Sequence, residues 1–183
     1  MTEADSTTPQ PLPLPFVLSH EQMVGYTGKY EGERFADGRP KVSDSILQRM
    51  RRVTCEQAWT VLRTHGYSCQ YQGKWVVTHT DPVLVGRAVT CNFIPHRPDL
   101  ADVVNETANS QGLEGRDKHW VMDRLVTNDV IVADMFDKQI GGGFMGDNLA
   151  TMIHNKTGTG AVVWGGTRDL AGVLELEDFV VFN

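Results

Sequence analysis

No apolar run among the 183 residues approaches the ~20 that a membrane-spanning helix needs. Cysteine is scarce: Cys55, Cys69 and Cys91 are odd in number and form neither a CxxC pair nor a Cys/His zinc spacing. They read as reduced thiols of a cytoplasmic protein. The six histidines are scattered with no HxH or HxxxH pair, so a histidine metal site is not expected. Positive charge is in deficit, with 17 Lys and Arg against 23 Asp and Glu. A net charge of −6 argues against nucleic acid and anionic membranes as partners, because both are bound through a Lys/Arg excess. The start, MTEADSTTPQPLPLPF, lacks the basic opening and continuous apolar core of a signal peptide. There is no internal repeat, and the length makes one domain the default.

What the chain does have is concentrated between Asp129 and Leu170. Val130-Ile131-Val132-Ala133 is a short apolar run of the kind that forms a buried strand. A glycine-rich loop, Gly141-Gly142-Gly143-Phe144-Met145-Gly146, follows it. Asp147 or Asn148 is expected to cap a helix carrying Leu149, Met152 and Ile153 on one face, with Gly158 as its stop. Ala161-Val162-Val163-Trp164 is a second buried-strand run, and Gly165-Gly166-Thr167-Arg168-Asp169 turns out of it. Strand, helix and strand in this order predict a βαβ unit with parallel strands and a right-handed crossover.

In that topology both loops follow the carboxyl ends of parallel strands, where open α/β sheets bind ligands. The helix opening at Gly146-Asp147-Asn148-Leu149 offers free N–H groups and a positive dipole end to an anion. Arg168 adds a planar fork suited to a carboxylate or phosphate. Asp147 and Asp169 are hard oxygen donors of the kind Mg²⁺ or Mn²⁺ accepts. Together they point to a metal-assisted site for a small acid. Gly141-x-Gly143-x-x-Gly146 also fits the dinucleotide fingerprint formally. In that fold, however, the first glycine follows its strand directly and an acid ends the next strand. Here Asp134 to Ile140 intervene, and the second strand ends in Trp164-Gly165-Gly166.

The same residues carry a resemblance. Gly146-Asp147-Asn148-Leu149-Ala150 followed by the GG-x-RD turn at Arg168-Asp169 resembles the signature of the RraA-like family. Val85-Gly86-Arg87-Ala88-Val89-Thr90 is similar to that family's "vGrAvT" strand, and Thr127-Asn128-Asp129-Val130 to its "pGDvlvvD" strand entry. The likeness runs in order from about Val53 to Asp169. The family includes class II pyruvate aldolases that cleave 4-hydroxy-4-methyl-2-oxoglutarate-type substrates and decarboxylate oxaloacetate. It also includes non-catalytic regulators of ribonuclease E activity, and an inherited methyltransferase label that no residue here supports.

What the resemblance implies is an α/β fold, the RraA-like swivelling β/α domain, with a central βαβ unit. It implies Asp169 as the metal ligand, with Mg²⁺ or Mn²⁺ as the cofactor. The backbone of Gly146, Asp147, Asn148 and Leu149 would hold the carboxylate of a 2-oxo acid. Arg168 would pair with that carboxylate or with the oxygen that becomes the enolate, and Asp147 would orient the water that carries the proton. A homo-oligomer, trimer or hexamer, is implied as well.

The rest of the chain frames this unit. Residues 1–42 read as an N-terminal arm and loop, proline-rich up to about residue 18, and 43–183 as the RraA-like domain. Ser43 or Asp44 starts a helix, Thr54-Cys55-Glu56-Gln57 fits a capping box for a second, and Gly66 ends it. Trp75 to Thr78 and Val83 to Ile94 read as β, Asp99 to Asn109 as helix, and Lys118 to Leu125 as a shorter helical stretch. Phe179 to Phe182 reads as a buried strand without a downstream partner, an unprotected apolar edge. In the family further strands follow, and a neighbouring subunit's C-terminal glutamate completes the aldolase metal site. The expectation is therefore a chain truncated relative to its family, as a fragment or a shortened relative.

Overall fold

The computed structural model describes residues 17–113, 117–141 and 143–183. Most of the proline-rich arm lies outside the described residues. Ser19 and Gln22 open α1 (His20–Tyr26) with a capping box, inside the stretch expected to be arm and loop. α2 (Asp44–Met50) follows Ser43, and α3 (Cys55–Thr64) starts at the Thr54/Gln57 box, Gln57 N donating to Thr54 Oγ1 at 3.2 Å. Gly66, at φ +84°, lets the chain turn away.

Next come β1 (Arg87–Asn92), α4 (Pro98–Ser110) and α5 (Asp117–Asp123). β1 is shorter than the Val83–Ile94 run from which it is cut. A β-carbon on Gly86 would lie 2.6 Å from Val130 Cγ2 and 2.7 Å from Asn128 O, so the strand enters the sheet only past this glycine. The remaining elements are β2 (Asp129–Asp134), β3 (Gly143–Met145), α6 (Asp147–Thr157), β4 (Ala161–Trp164), β5 (Gly166–Thr167), α7 (Leu170–Leu174) and β6 (Val181–Phe182).

The main sheet has the order β1-β2-β4-β6, and every neighbouring pair is parallel. The fold is α/β, with the expected parallel strand–helix–strand unit of β2, α6 and β4 at its centre. Register puts Val89, Ile131, Ala161 and Val181 side by side, with Ala133 beside Val163. These side chains share one face, since alternate residues of a strand point the same way. They pack with Ala150 and Ile153 of α6, Val173 of α7, Met122 and Phe179 into the core. At ~25 cal/mol per Å² of apolar surface, each fully buried Ile, Phe or Met contributes about 1.5–3 kcal/mol. Among the described residues, no helix is long and apolar enough to cross a membrane.

The outer edge of β6 is covered, contrary to expectation. Val76 N donates to Asn183 O at 2.9 Å and Asn183 N to Val76 O at 2.8 Å. Thr78 N reaches Val181 O, and Val77 faces Phe182 as an antiparallel bridge. The Trp75–Thr78 run is thus a short cover on the sheet edge rather than a full strand. Sequence order hides this because the partner lies about a hundred residues downstream.

The opposite, amino-terminal end of the strands is tied by a buried carboxylate. Asp129 is fully buried and accepts from Arg39 Nη1 (3.0 Å), Arg87 Nε (2.9 Å) and Val126 N (3.1 Å). Both guanidinium groups stand over the Phe35 ring, at 5.0 and 5.3 Å from its centroid. Arg87 is therefore a structural cation at the end of β2 opposite the glycine loop.

Candidate functional site

The two loops that leave the carboxyl ends of β2 and β4 do not diverge. They pair with each other: β3 and β5 form a separate two-stranded parallel sheet, with Gly143 opposite Gly166 and Met145 opposite Thr167. Arg168 N continues the ladder to Met145 O at 3.0 Å. This small sheet sets the opening of α6 beside the Arg168-Asp169 turn. It is the element that sequence periodicity does not show, because each of its strands has only two or three residues.

Gly146, not Asp147 or Asn148, is the residue that precedes the helix, with extended backbone (φ −115°, ψ −165°), and Asp147 is the first helical residue. The expected aspartate cap is corrected for a steric reason. A β-carbon on Gly146 would overlap Asp169 Oδ2 and lie 3.2 Å from Arg168 Nε. With glycine there, the backbone approaches the turn without displacing that carboxylate. Asp147 Oδ1 accepts instead from the neighbouring Asn148 N at 2.7 Å.

A second glycine stands in the same relation to the other carboxylate. A β-carbon on Gly172, in α7, would lie 2.7 Å from Asp147 Cβ and 3.0 Å from its Oδ2. Gly146 thus accommodates Asp169, and Gly172 accommodates Asp147. Gly172 was not singled out from the sequence, where it is one glycine among 18. Asp169 holds a left-handed conformation, φ +55° and ψ +41°, at the start of α7. That is uncommon for a residue with a side chain and most tolerated by Asn and Asp.

The site is open. Gly146 is buried, Asp147 and Leu149 are half-buried and Asn148 is exposed. Arg168 Nε lies 3.4 Å from Asp169 Oδ2, with side chains 77% and 53% exposed. Such a pair contributes about 0–1 kcal/mol to stability, so the fold has little need of it. Of the residues expected from the sequence, Gly146 stands directly beside Arg168 and Asp169, and Asp147, Asn148 and Leu149 follow it as the first turn of α6.

The donor set decides which metal could be accommodated. Among the described residues no group of three or more His, Cys, Asp or Glu side chains is placed to hold an ion. Two carboxylates without sulfur or imidazole do not suit zinc in an all-protein site. They do suit Mg²⁺ or Mn²⁺, which commonly take one or two carboxylates and fill the shell with water and substrate oxygens. A groove of about 1640 Å³ runs elsewhere, past the outer edge of β1 and over Val132, Asp134, Val162 and Trp164. None of the six residues lines it.

Lys118, in the first turn of α5, makes a contact that none of its neighbours in sequence signals. Its Nζ donates to Gly143 O (3.0 Å) and Phe144 O (2.8 Å) and stands 5.7 Å from the centre of the Phe144 ring. Burial pushes its pKa below the ordinary lysine value; Asp117 opposes this and the positive charge of Arg168 adds to it.

The family model described as RraA-like (Aldolase/RraA) matches residues 40–183. The chain belongs to the RraA-like family. That family comprises both aldolases and non-catalytic ribonuclease regulators. Among solved structures, the chain is similar to Streptomyces coelicolor RraAS2, described as an unusual member of the RNase ES inhibitor RraA protein family. Identity is 22%, the TM-score is 0.54, and 78% of this chain and 63% of that one are covered. A second structure, described among novel cellulases from microbes associated with the gut ecosystem, is 17% identical with a TM-score of 0.61. It is matched over 90% of this chain and 67% of its own. At these identities the likeness shows the fold alone. The RraA-like chain spans less than two thirds of the length of the first structure. No curated protein sequence matches it.

Proposed function

We propose that this RraA-like chain is a divalent-metal-dependent lyase that cleaves the bond between C3 and C4 of a 2-oxo acid. The substrates would be 4-hydroxy-4-methyl-2-oxoglutarate-type acids, oxaloacetate, or both. The observation that carries the reading is the close approach of Gly146 to Asp169. It holds an anion-accepting helix start, a guanidinium and two carboxylates at one open mouth, although the ion pair among them adds little stability.

The N–H groups that open α6 would bind the substrate carboxylate. Arg168 would face the keto oxygen, where negative charge grows as the carbon–carbon bond breaks. Bound Mg²⁺ or Mn²⁺ at Asp169 would supply Lewis acidity toward the same oxygen. The electron pair of the breaking bond stays with the three-carbon enolate. The C4 hydroxyl of a 4-hydroxy acid would give its proton to the water beside Asp147 as that fragment leaves as a carbonyl compound, whereas oxaloacetate releases CO₂ with no such proton to lose. Asp147 would hold the water that brings a proton to C3 and yields pyruvate. Three free cysteines fit a cytoplasmic setting, and a trimer or hexamer is the assembly this reading carries with it.

The second reading is a non-catalytic regulator that binds a ribonuclease. It is favoured by the two-carboxylate donor set, which lacks a third protein ligand among the described residues. Coupled detection of pyruvate from oxaloacetate and from 4-hydroxy-4-methyl-2-oxoglutarate, with and without Mg²⁺ or Mn²⁺, separates the two. Metal-dependent turnover of either acid supports the lyase. No turnover above that of the metal alone, from folded protein, sinks it.

A further inference from the structure

We propose that Lys118 is a positioning residue that clamps the glycine loop and so sets the geometry of the carboxylate seat. The inference deepens the lyase reading and rests on it for its kinetic consequence. Its structural part stands independently.

β3 has three residues, and its pairing with β5 is irregular between Gly143 and Met145. One side of this strand is fixed by β5 and by Arg168 N on Met145 O. The carbonyls of Gly143 and Phe144 instead receive the Lys118 ammonium at 3.0 and 2.8 Å. A charged donor shared by two carbonyls makes a stronger tie than a neutral hydrogen bond. Lys118 reaches them from α5, which precedes β2 in the chain, so the loop is anchored to a second element besides β5. The face of Phe144, itself buried, lies under the same ammonium. Two residues beyond Phe144 stands Gly146, where the seat begins. A half-buried lysine is costly to keep unless its bonds return that cost, and here both bonds go to the loop.

The consequence is specific to the seat. Asp169 leaves β5, whereas the seat N–H groups leave β3. Loosening β3 should therefore weaken the grip on the carboxylate more than the grip on a metal ion. Losing one charged hydrogen-bonding partner is an effect of about 1.5 kcal/mol, or about tenfold in an equilibrium constant.

The test uses the full chain with Lys118→Met, Lys118→Gln and Lys118→Arg. Amide hydrogen exchange over residues 143–149 is compared with that over β4, residues 161–164. The clamp predicts exchange about tenfold faster in 143–149 for Lys118→Met, unchanged exchange in β4, and protection restored by Lys118→Arg. In the oxaloacetate assay it predicts a KM about tenfold higher for Lys118→Met, with a smaller change in Mn²⁺ affinity measured by titration, since only Asp147 of the two carboxylates follows β3. Wild-type exchange in residues 143–149 of folded Lys118→Met overturns the proposal. So does equal acceleration in both segments. If Lys118→Met does not fold, Lys118→Gln and Lys118→Arg decide by the same comparison. An inactive wild type whose Lys118 variants still loosen 143–149 would sink the lyase reading and leave the clamp standing.

Discussion

The α-carbon of Gly146 lies so close to the carboxylate of Asp169 that a β-carbon there would overlap Oδ2. Glycine is favoured here by this contact and not by its dihedral angles, since φ −115° is open to any residue. Gly146→Ala would displace the Asp169 carboxylate and crowd Arg168 Nε. We expect metal-dependent activity to fall by about 100-fold, the scale of a small misplacement at a reacting centre. The melting temperature should change little, because both displaced side chains are exposed. Activity and thermal melts of the one variant check both halves.

Asp129 makes the opposite kind of prediction. Its carboxylate is fully buried and holds Arg39, Arg87 and Val126 N at the far end of the strands. Asp129→Ala would leave two guanidinium groups, each little exposed, without their shared anion. The loss of one partner of a buried ion pair costs about 3–5 kcal/mol. Denaturant unfolding should show that loss. Any catalytic defect of the folded fraction should be small, since the site lies at the other end of β2.

Asp37 sets a pH dependence. Burial raises its pKa, but the hydrogen bonds from the Arg39 side chain and backbone, with the charges of Arg39 and Arg124, together outweigh that and hold it below the usual value near 3.8. A carboxyl lowered by folding stabilises the fold above its unfolded pKa and loses that contribution as pH falls through the folded one. Wild type should therefore melt higher than Asp37→Asn at pH 7, and the difference should vanish as pH drops well below 3.8. A gap that stays constant from pH 7 to pH 3 would contradict the pairing.

Thiol reactivity should divide the three cysteines. Burial pushes the Cys91 thiol up to about 12, and its Sγ lies 3.8 Å from Val132 O. Cys55 and Cys69 are exposed. Since the thiolate is the reactive form, alkylation of native protein at pH 8 should label Cys55 and Cys69 and spare Cys91 until the chain unfolds. Peptide mass mapping reads this directly.

Much of the centre of the fold was legible in the sequence because its signals are local. Val130 to Ala133 and Ala161 to Trp164 are continuous apolar runs, Gly158 marks a helix end, and Thr54-x-x-Gln57 is a capping box. The structure places each of them as its local chemistry dictates. What escaped is non-local. The β3–β5 pair is too short for periodicity, and the cover that Val76 to Thr78 gives β6 joins segments far apart in the chain. Lys118 and Gly172 matter through what they approach in space, and nothing beside them in sequence marks them. The helix α6 starts one residue earlier than an aspartate cap requires, with Gly146 at the cap beside the Asp169 carboxylate.

If Arg168 and Asp169 form a working lyase site with the start of α6, as proposed, turnover depends on both side chains. The most direct measurement is Mg²⁺- or Mn²⁺-dependent pyruvate release from oxaloacetate, with spontaneous decarboxylation subtracted, for wild type beside Arg168→Ala and Asp169→Ala. Metal-dependent turnover is expected in wild type and its loss in both variants, each still folded by its melting curve. Wild-type release no faster than metal alone, or full activity in either variant, would contradict it.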